Sequence, residues 1–133
     1  MNLFDIQVGV KSALDANATL LALLANGADS IRDDVREDDS FPYISIYEVA
    51  SKEDDTMTSN GLSSLIAIHI YSRYRGNKEV KKIATEVYNT LHNTSLTLAE
   101  NNHIFTIFTS VNFFVEADGM TRHGQINFKI VTD

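Results

Sequence analysis

The sequence predicts an α+β fold: a four-stranded antiparallel sheet with a central helix and N-terminal helices packed on one face, in the order α-α-β-β-α-β-β. Three observations carry this. Leu62 to Ser72 alternates apolar and polar side chains, the mark of a half-buried strand. Val80, Ile83, Ala84, Val87 and Leu91 recur at steps of three and four, the mark of a helix with one buried face. Two further alternating segments fill His103 to Thr132, after that helix.

The elements follow in order. In Asn2 to Leu14, the apolar Leu3, Ile6, Val10, Ala13 and Leu14 share one helical stripe. Gly9 within it weakens the helix by about 1 kcal/mol relative to alanine. Asp15 to Ala18 reads as a break. Thr19 then caps Leu20 to Ala25, and Asn26-Gly27 is a helix stop. Two short helices meeting at an angle is the reading; one longer helix is the alternative.

Ala28 to Ser40 is acidic and irregular, with Asp29, Asp33, Asp34, Glu37, Asp38 and Asp39 set against Arg32 and Arg36. A calcium loop needs alternating ligands, a glycine at the bend and a closing glutamate, and none falls in place. The segment is a solvated loop, or else a charged surface facing a partner or a channel. Pro42 stands at the start of the first strand, where its missing N–H costs least. There Ile44, Ile46 and Glu48 alternate with Tyr43, Ser45, Tyr47 and Val49. Ser51 to Gly61 (SKEDDTMTSNG) is too long for a tight hairpin turn, so it is mobile or held by a partner. Lys52, Glu53, Asp54, Asp55, Thr56 and Met57 are its candidate contact residues.

In the second strand Leu62, Ile66, Ile68 and Ile70 face one side; Ser63, Ala67, His69 and Tyr71 face the other. The helix spans Asn77 to His92. Leu96 and Leu98 suggest a short extended piece. In His103 to Glu116, alternation places Phe105, Ile107, Val111, Phe113 and Val115 on one face. Ala117-Asp118-Gly119 turns the chain, and Gly124 to Val131 returns with Ile126, Phe128 and Ile130 inward.

Composition bounds the function. A chain of 133 residues, 44% hydrophobic and 22% charged, forms one domain with its own core over residues 1–133. There is no cysteine, which excludes disulfides, thiolate metal sites and cysteine nucleophiles. The N-terminus lacks the basic and apolar regions of a secretory signal, and no apolar run is long enough to span a bilayer. A soluble protein with no membrane partner is expected. The net charge of −7 disfavours a general nucleic-acid binder. Lys78, Lys81 and Lys82 sit beside Glu79 and Glu86 on one helix, which suits local ion pairing.

No reaction centre is visible. His69, His92, His103 and His123 show no i, i+4 pair, so no metal-ligand pair stands out, although a distant pair could converge. His92 ends the helix, where a partly cationic imidazole suits the dipole. There is no G-x-S-x-G, no GxGxxG and no GxxxxGK[ST]. The carboxylates lie in loops, where they stay ionised and make poor general acids. The chain is expected to be no enzyme and to hold no cofactor, metal or catalytic residue.

Four stretches resemble one family. Phe41-Pro42-Tyr43-Ile44 resembles a Pro-Tyr strand start after a loose polar loop. Leu65 to Ser72 resembles a second strand that ends in an aromatic before a short turn into a helix. Val80 to Leu91 resembles the helix that follows. His123 to Ile130 resembles a closing strand in which glycine precedes alternating apolar residues. Together they resemble the tail-completion (tail-terminator) family of long-tailed bacteriophages and gene-transfer agents, over essentially the whole chain. A tryptophan often found near the end of that second strand is absent here, and the first connecting loop is strongly acidic.

The resemblance implies a structural virion assembly protein. It would cap the tail tube, terminate its growth and form the head-tail joining surface as a ring, typically a hexamer. Its partners would be copies of itself, the tail tube protein and a head-closure or connector protein, in the tail or neck of a virion assembled in a bacterial host cytoplasm. DNA would pass without specific binding. Asp33, Asp34, Glu37, Asp38 and Asp39 would face the channel, where negative charge repels DNA. Three other readings stay open. Another neck component, such as a head-closure protein, would be richer in barrel-like strands and lack the central helix. A small-molecule-binding α+β domain would need convergent polar groups on the inner face, which carries Ile, Val, Leu and Phe. A hydrolase with a dispersed site would show itself in a metal assay.

Overall fold

The computed structural model describes residues 3–34, 40–53, 61–99 and 102–133. The elements are α1 (Leu3–Asp15), α2 (Ala18–Leu23), a 3₁₀ turn (Gly27–Ser30), β1 (Ile31–Arg32), β2 (Tyr43–Glu53), β3 (Leu62–Ser72), α3 (Lys78–Leu91), β4 (His103–Val115) and β5 (Arg122–Thr132). The fold is α+β. The sheet runs β1-β2-β3-β5-β4. β2, β3, β5 and β4 pair antiparallel, and β1 pairs parallel to β2.

Among the described residues the sheet is therefore mixed and five-stranded rather than the four-stranded antiparallel sheet expected. The extra strand comes from the acidic segment. Ile31 is its large aliphatic residue, and pairing with Ile44 brings it into the core at 1% exposure. Arg32 is carried into register with Ser45.

The helices pack on one face of the sheet. β3 turns Ile66, Ile68 and Ile70 toward them, β5 adds Ile126, Phe128 and Ile130, and β2 adds Ile44 and Ile46. α3 answers with Val80, Ile83, Ala84, Val87 and Leu91, the residues its spacing predicts. α1 contributes Ile6, Val10 and Leu14, and α2 contributes Leu20.

The α1 stripe is rotated from the expected one. Leu3 is exposed and Asp5 is buried instead. The Asp5 Oδ1 accepts a hydrogen bond from the Ala99 N–H at 2.8 Å, which makes burial of a carboxylate tolerable. Gly9 lies inward, against Leu98. The two-helix reading holds, but the cap of α2 is Asn17, not Thr19. The Asn17 Oδ1 accepts from the Leu20 N–H at 3.0 Å, and its Nδ2 donates to Thr90 Oγ1 on α3. Leu96 and Leu98 form no strand; Leu96 is buried in the core and Leu98 packs against it.

Register shifts on β2 and β4 reset strand faces. On β2 the register slips between Glu48 and Ala50, and the strand continues to Glu53. On β4 it slips between Phe108 and Ser110. Past that bulge Val111 and Phe113 share a face with Phe108 over the helices, while Phe105 and Ile107 lie on the opposite face. The expected single stripe of odd-numbered residues is thus split in two.

Candidate functional site

The helix-free face of the sheet collects the polar aromatics. By register, Tyr43 lies opposite Tyr71, Ser45 opposite His69, Tyr71 opposite His123 and His123 opposite Phe114. Period two puts all of them on one side. Tyr43 and Tyr71 stack with centroids 4.9 Å apart. Tyr71 stacks on His123 at 4.4 Å, and Phe114 tilts against the same imidazole at 4.3 Å. Tyr47 meets His69 edge-on at 4.9 Å.

Two histidines and one carboxylate form a chain within this layer. The Glu116 Oε1 lies 2.6 Å from His123 Nδ1, and His123 Nε2 lies 2.6 Å from His69 Nδ1. An ionised carboxylate only accepts, so His123 Nδ1 carries a proton toward Glu116. With both rings neutral, His69 Nδ1–H then donates to the bare His123 Nε2. Burial lowers the His69 pKa from 6.5, the neighbouring His123 lowers it further, and Glu116 partly opposes both. Burial pushes the Tyr71 hydroxyl up to about 12, with Tyr47, Tyr43 and Glu116 adding to it.

The turn after β4 anchors the end of this layer. Asp118 accepts from the N–H groups of Met120 and Thr121 and from Thr121 Oγ1, at 2.8, 2.8 and 2.7 Å. These bonds hold its carboxyl at about 2, and Arg73 adds to the lowering. Gly119 supplies the positive φ of 72° that the turn needs. The Arg73 guanidinium bridges the turn and the aromatics: it lies 3.8 Å from Asp118 and 4.2 Å from the centroid of Phe41. Among the described residues no group of three or more His, Cys, Asp or Glu could hold a metal ion. No helix among them is long and apolar enough to cross a membrane.

Two of the clefts among the described residues lie on the helix side. One, of about 760 Å³, is bounded by Phe4, Gln7, Val8 and Lys11 of α1 and by Arg32, Asp33 and Asp34 around β1. The other, of about 380 Å³, runs between α3 and β4 and is lined by Tyr88, Phe108, Val111, Phe113 and Ile126.

The residues expected to make contacts fall in two places. Asp33 and Asp34 follow β1 at the rim of the larger cleft, and Asp33 Oδ2 accepts from Gln7 Nε2 at 2.9 Å. Lys52 and Glu53 belong to the end of β2, not to a loop, and both are exposed. Glu37, Asp38, Asp39, Asp54, Asp55, Thr56 and Met57 lie outside the described residues. The lysines of α3 are placed differently from the expected ion pairing. Glu79 accepts from Ser72 Oγ and Glu86 from Asn17 Nδ2, while the Lys81 ammonium lies 5.6 Å above the Phe113 ring. The Phe108 N–H donates to His92 Nδ1 at 3.1 Å, so His92 ties the end of α3 to β4.

Comparison with known proteins decides the family. The family model described as tail completion protein gp17 matches residues 9–133. The chain belongs to that family. This tail completion protein family member is also similar in structure to a chain from "Virion of native gene transfer agent (GTA) particle", with 20% identity, a TM-score of 0.85, and coverage of 97% of this chain and 95% of that one. No curated protein matches. Membership gives the chain a structural role in phage-type tail assembly. The sequence places His69 on the outer face of its strand, but its contact with His123 is not legible there. The available signal was parity: each histidine falls on the outward phase of its strand, and only the β3–β5 register makes them neighbours.

Proposed function

We propose that the chain is a non-catalytic virion protein that caps a tail tube, stops its growth and forms the surface joining tail to head. Copies close into a ring, taken as a hexamer. The observation that carries this is the family match over residues 9–133. The chemistry agrees with it. The helix-free face carries aromatic rings around the His69–His123–Glu116 chain, which suits a contact surface. Asp33 and Asp34, with the acidic residues that follow them in sequence, line the passage and keep DNA from sticking. The partners are the tube protein on one side and a head-closure or connector protein on the other.

The test is the mass of the purified chain, alone and mixed with its tail tube protein, with particles lacking the chain imaged alongside. The expected results are a tube-bound ring and, without the chain, tails of irregular length that carry no heads. Failure of the tube protein to recruit the chain, together with normal tails in its absence, overturns the proposal.

A further inference from the structure

The sheet has two outer edges, and each is covered over part of its length. On one side β1 pairs with β2 at Ile44 and Ser45, and among the described residues no strand pairs with β2 beyond them on that side. On the other side the turn after α3 covers the first half of β4. The Asn93 N–H donates to the Thr106 carbonyl at 2.9 Å, and the Phe108 N–H donates to His92 Nδ1 at 3.1 Å. The backbone groups of Thr106 and Phe108 therefore point away from β5.

The register carries this phase past the bulge. Phe108 pairs with Phe128, then Val111 with Ile126, Phe113 with Gly124 and Val115 with Arg122. Those β5 partners share one parity, so the N–H and C=O groups of Val111, Phe113 and Val115 also point outward. Among the described residues no strand pairs with them.

Natural edge strands are guarded by charges, prolines, short length, bulges or a covering loop. On β4 the cover reaches Phe108 and the bulge sits at Thr109; beyond them no guard remains, since its 13 residues, HIFTIFTSVNFFV, contain no Asp, Glu, Lys, Arg or Pro. It exposes Val111, Phe114 and Val115, and the second half of β2 exposes Tyr47 and Val49. A solvent-facing edge of this composition is a pairing site for another strand.

We infer that Val111–Val115 of β4 pairs with the second half of β2, residues 47–53, of the next copy in the ring, joining the sheets into a continuous band. The inference rests on the ring reading above and names its contact. Strand direction selects the occupant. β2, β3, β5 and β4 alternate in direction, so a next copy in the same orientation presents its β2 antiparallel to β4. The alternation then passes unbroken through the junction, and every copy uses both edges, as a closed head-to-tail ring requires. Pairing β4 with β4 about a two-fold axis closes a dimer and leaves β2 unused. The cleft between α3 and β4 runs beside the open edge, where alternate side chains of an added strand can seat against Tyr88, Val111 and Phe113.

Residue-resolved amide exchange on the intact chain, free and assembled on its tube, tests the pairing. The Val111, Phe113 and Val115 amides and those of the second half of β2 should slow together by about tenfold or more on assembly. Val111→Pro should keep the free-chain fold, because the lost N–H serves no internal bond, yet abolish the ring. Val115→Lys, which leaves the backbone intact, should weaken assembly in the same direction. Exchange unchanged on assembly, or rings of normal stability from both variants, overturns the pairing while leaving the ring. Slowing on β4 without slowing on β2 overturns it in favour of a different strand on that edge. A wild-type chain that stays a single copy even with tube present overturns the ring itself.

Discussion

Nδ1 of His69 and Nε2 of His123 face each other at 2.6 Å across the β3–β5 register, and only one proton fits between them. Tyr47 and Tyr71 flank His69, which is half-buried, and Glu116 binds the far side of the buried His123. The arrangement disfavours a second charge.

This gives a pH dependence of stability. The His69 pKa is depressed below 6.5, so the unfolded chain takes up a proton that the folded chain refuses between the depressed value and 6.5. Stability is full above that window and falls as pH drops through it. The lowered pKa of His103, caused by burial, acts in the same direction, so a variant must isolate His69. Urea midpoints at about pH 7.5 and about pH 5 should differ in the wild type, and His69→Gln should narrow that difference. An unchanged difference would assign the effect elsewhere.

Much of this architecture is legible in the sequence, and the parts that are not have identifiable causes. β3 and the buried face of α3 match their periodicities because neither is interrupted. β1 is hidden because two residues carry no period at all. The faces of β4 are misread because a bulge is a backbone event without a required residue type: Thr109 and Ser110 have no glycine or proline to mark it. The His69–His123 contact is hidden for a third reason, since it depends on which strands are neighbours, and β5 enters between β3 and β4 out of sequence order.

Ser45 is fully buried opposite His69, and among the described residues its Oγ has no hydrogen-bond partner. An unmatched buried hydroxyl carries a desolvation penalty of about 1–3 kcal/mol. Ser45→Ala should therefore stabilise the chain, by about 1 kcal/mol after the loss of packing is counted. Denaturant unfolding measures this; destabilisation would mean the hydroxyl has a partner in solution, such as a bound water.

Gly9 is held as glycine by Leu98. An added Cβ would sit 2.5 Å from Leu98 Cδ2 and 3.4 Å from the Thr97 carbonyl oxygen. Alanine is favoured over glycine inside a helix by about 1 kcal/mol. In the wild-type background, displacing Leu98 should cancel or exceed that gain. With Leu98→Ala in place the clash is gone, and Gly9→Ala should stabilise by about 1 kcal/mol. Equal effects in the two backgrounds would dismiss the contact as the reason for the glycine.

Asp118 organises the turn between β4 and β5 through its bonds to Met120 and Thr121. Its folded pKa of about 2 lies below the ordinary 3.8, so its contribution is present above 3.8 and is lost as pH falls toward 2. Asp118→Ala should lower the thermal midpoint at neutral pH and lose that component of the acid transition. Equal wild-type and variant midpoints at pH 7 would show that Gly119 alone sets the turn.

The β4 bulge makes a contrast between two single-residue deletions. Thr109 is the residue without a partner in the ladder, since Phe108 pairs with Phe128 and Ser110 with the adjacent Asn127. Deleting it leaves a regular ladder with Val111 and Phe113 still over the helices. The loss is mainly the Thr109 Oγ1 bond to the Asn127 carbonyl, about 1 kcal/mol. Deleting Asn112 instead, from the regular stretch, swaps the face of every residue after it: Phe114 takes the place of Phe113 opposite Gly124, and Glu116 is carried off the face on which it meets His123. That deletion should cost about 1 kcal/mol more than the first, by the loss of the Glu116–His123 hydrogen bond. Denaturation midpoints of the two variants decide it, and equal costs would mean that the strand phase after the bulge does not hold Glu116 on His123.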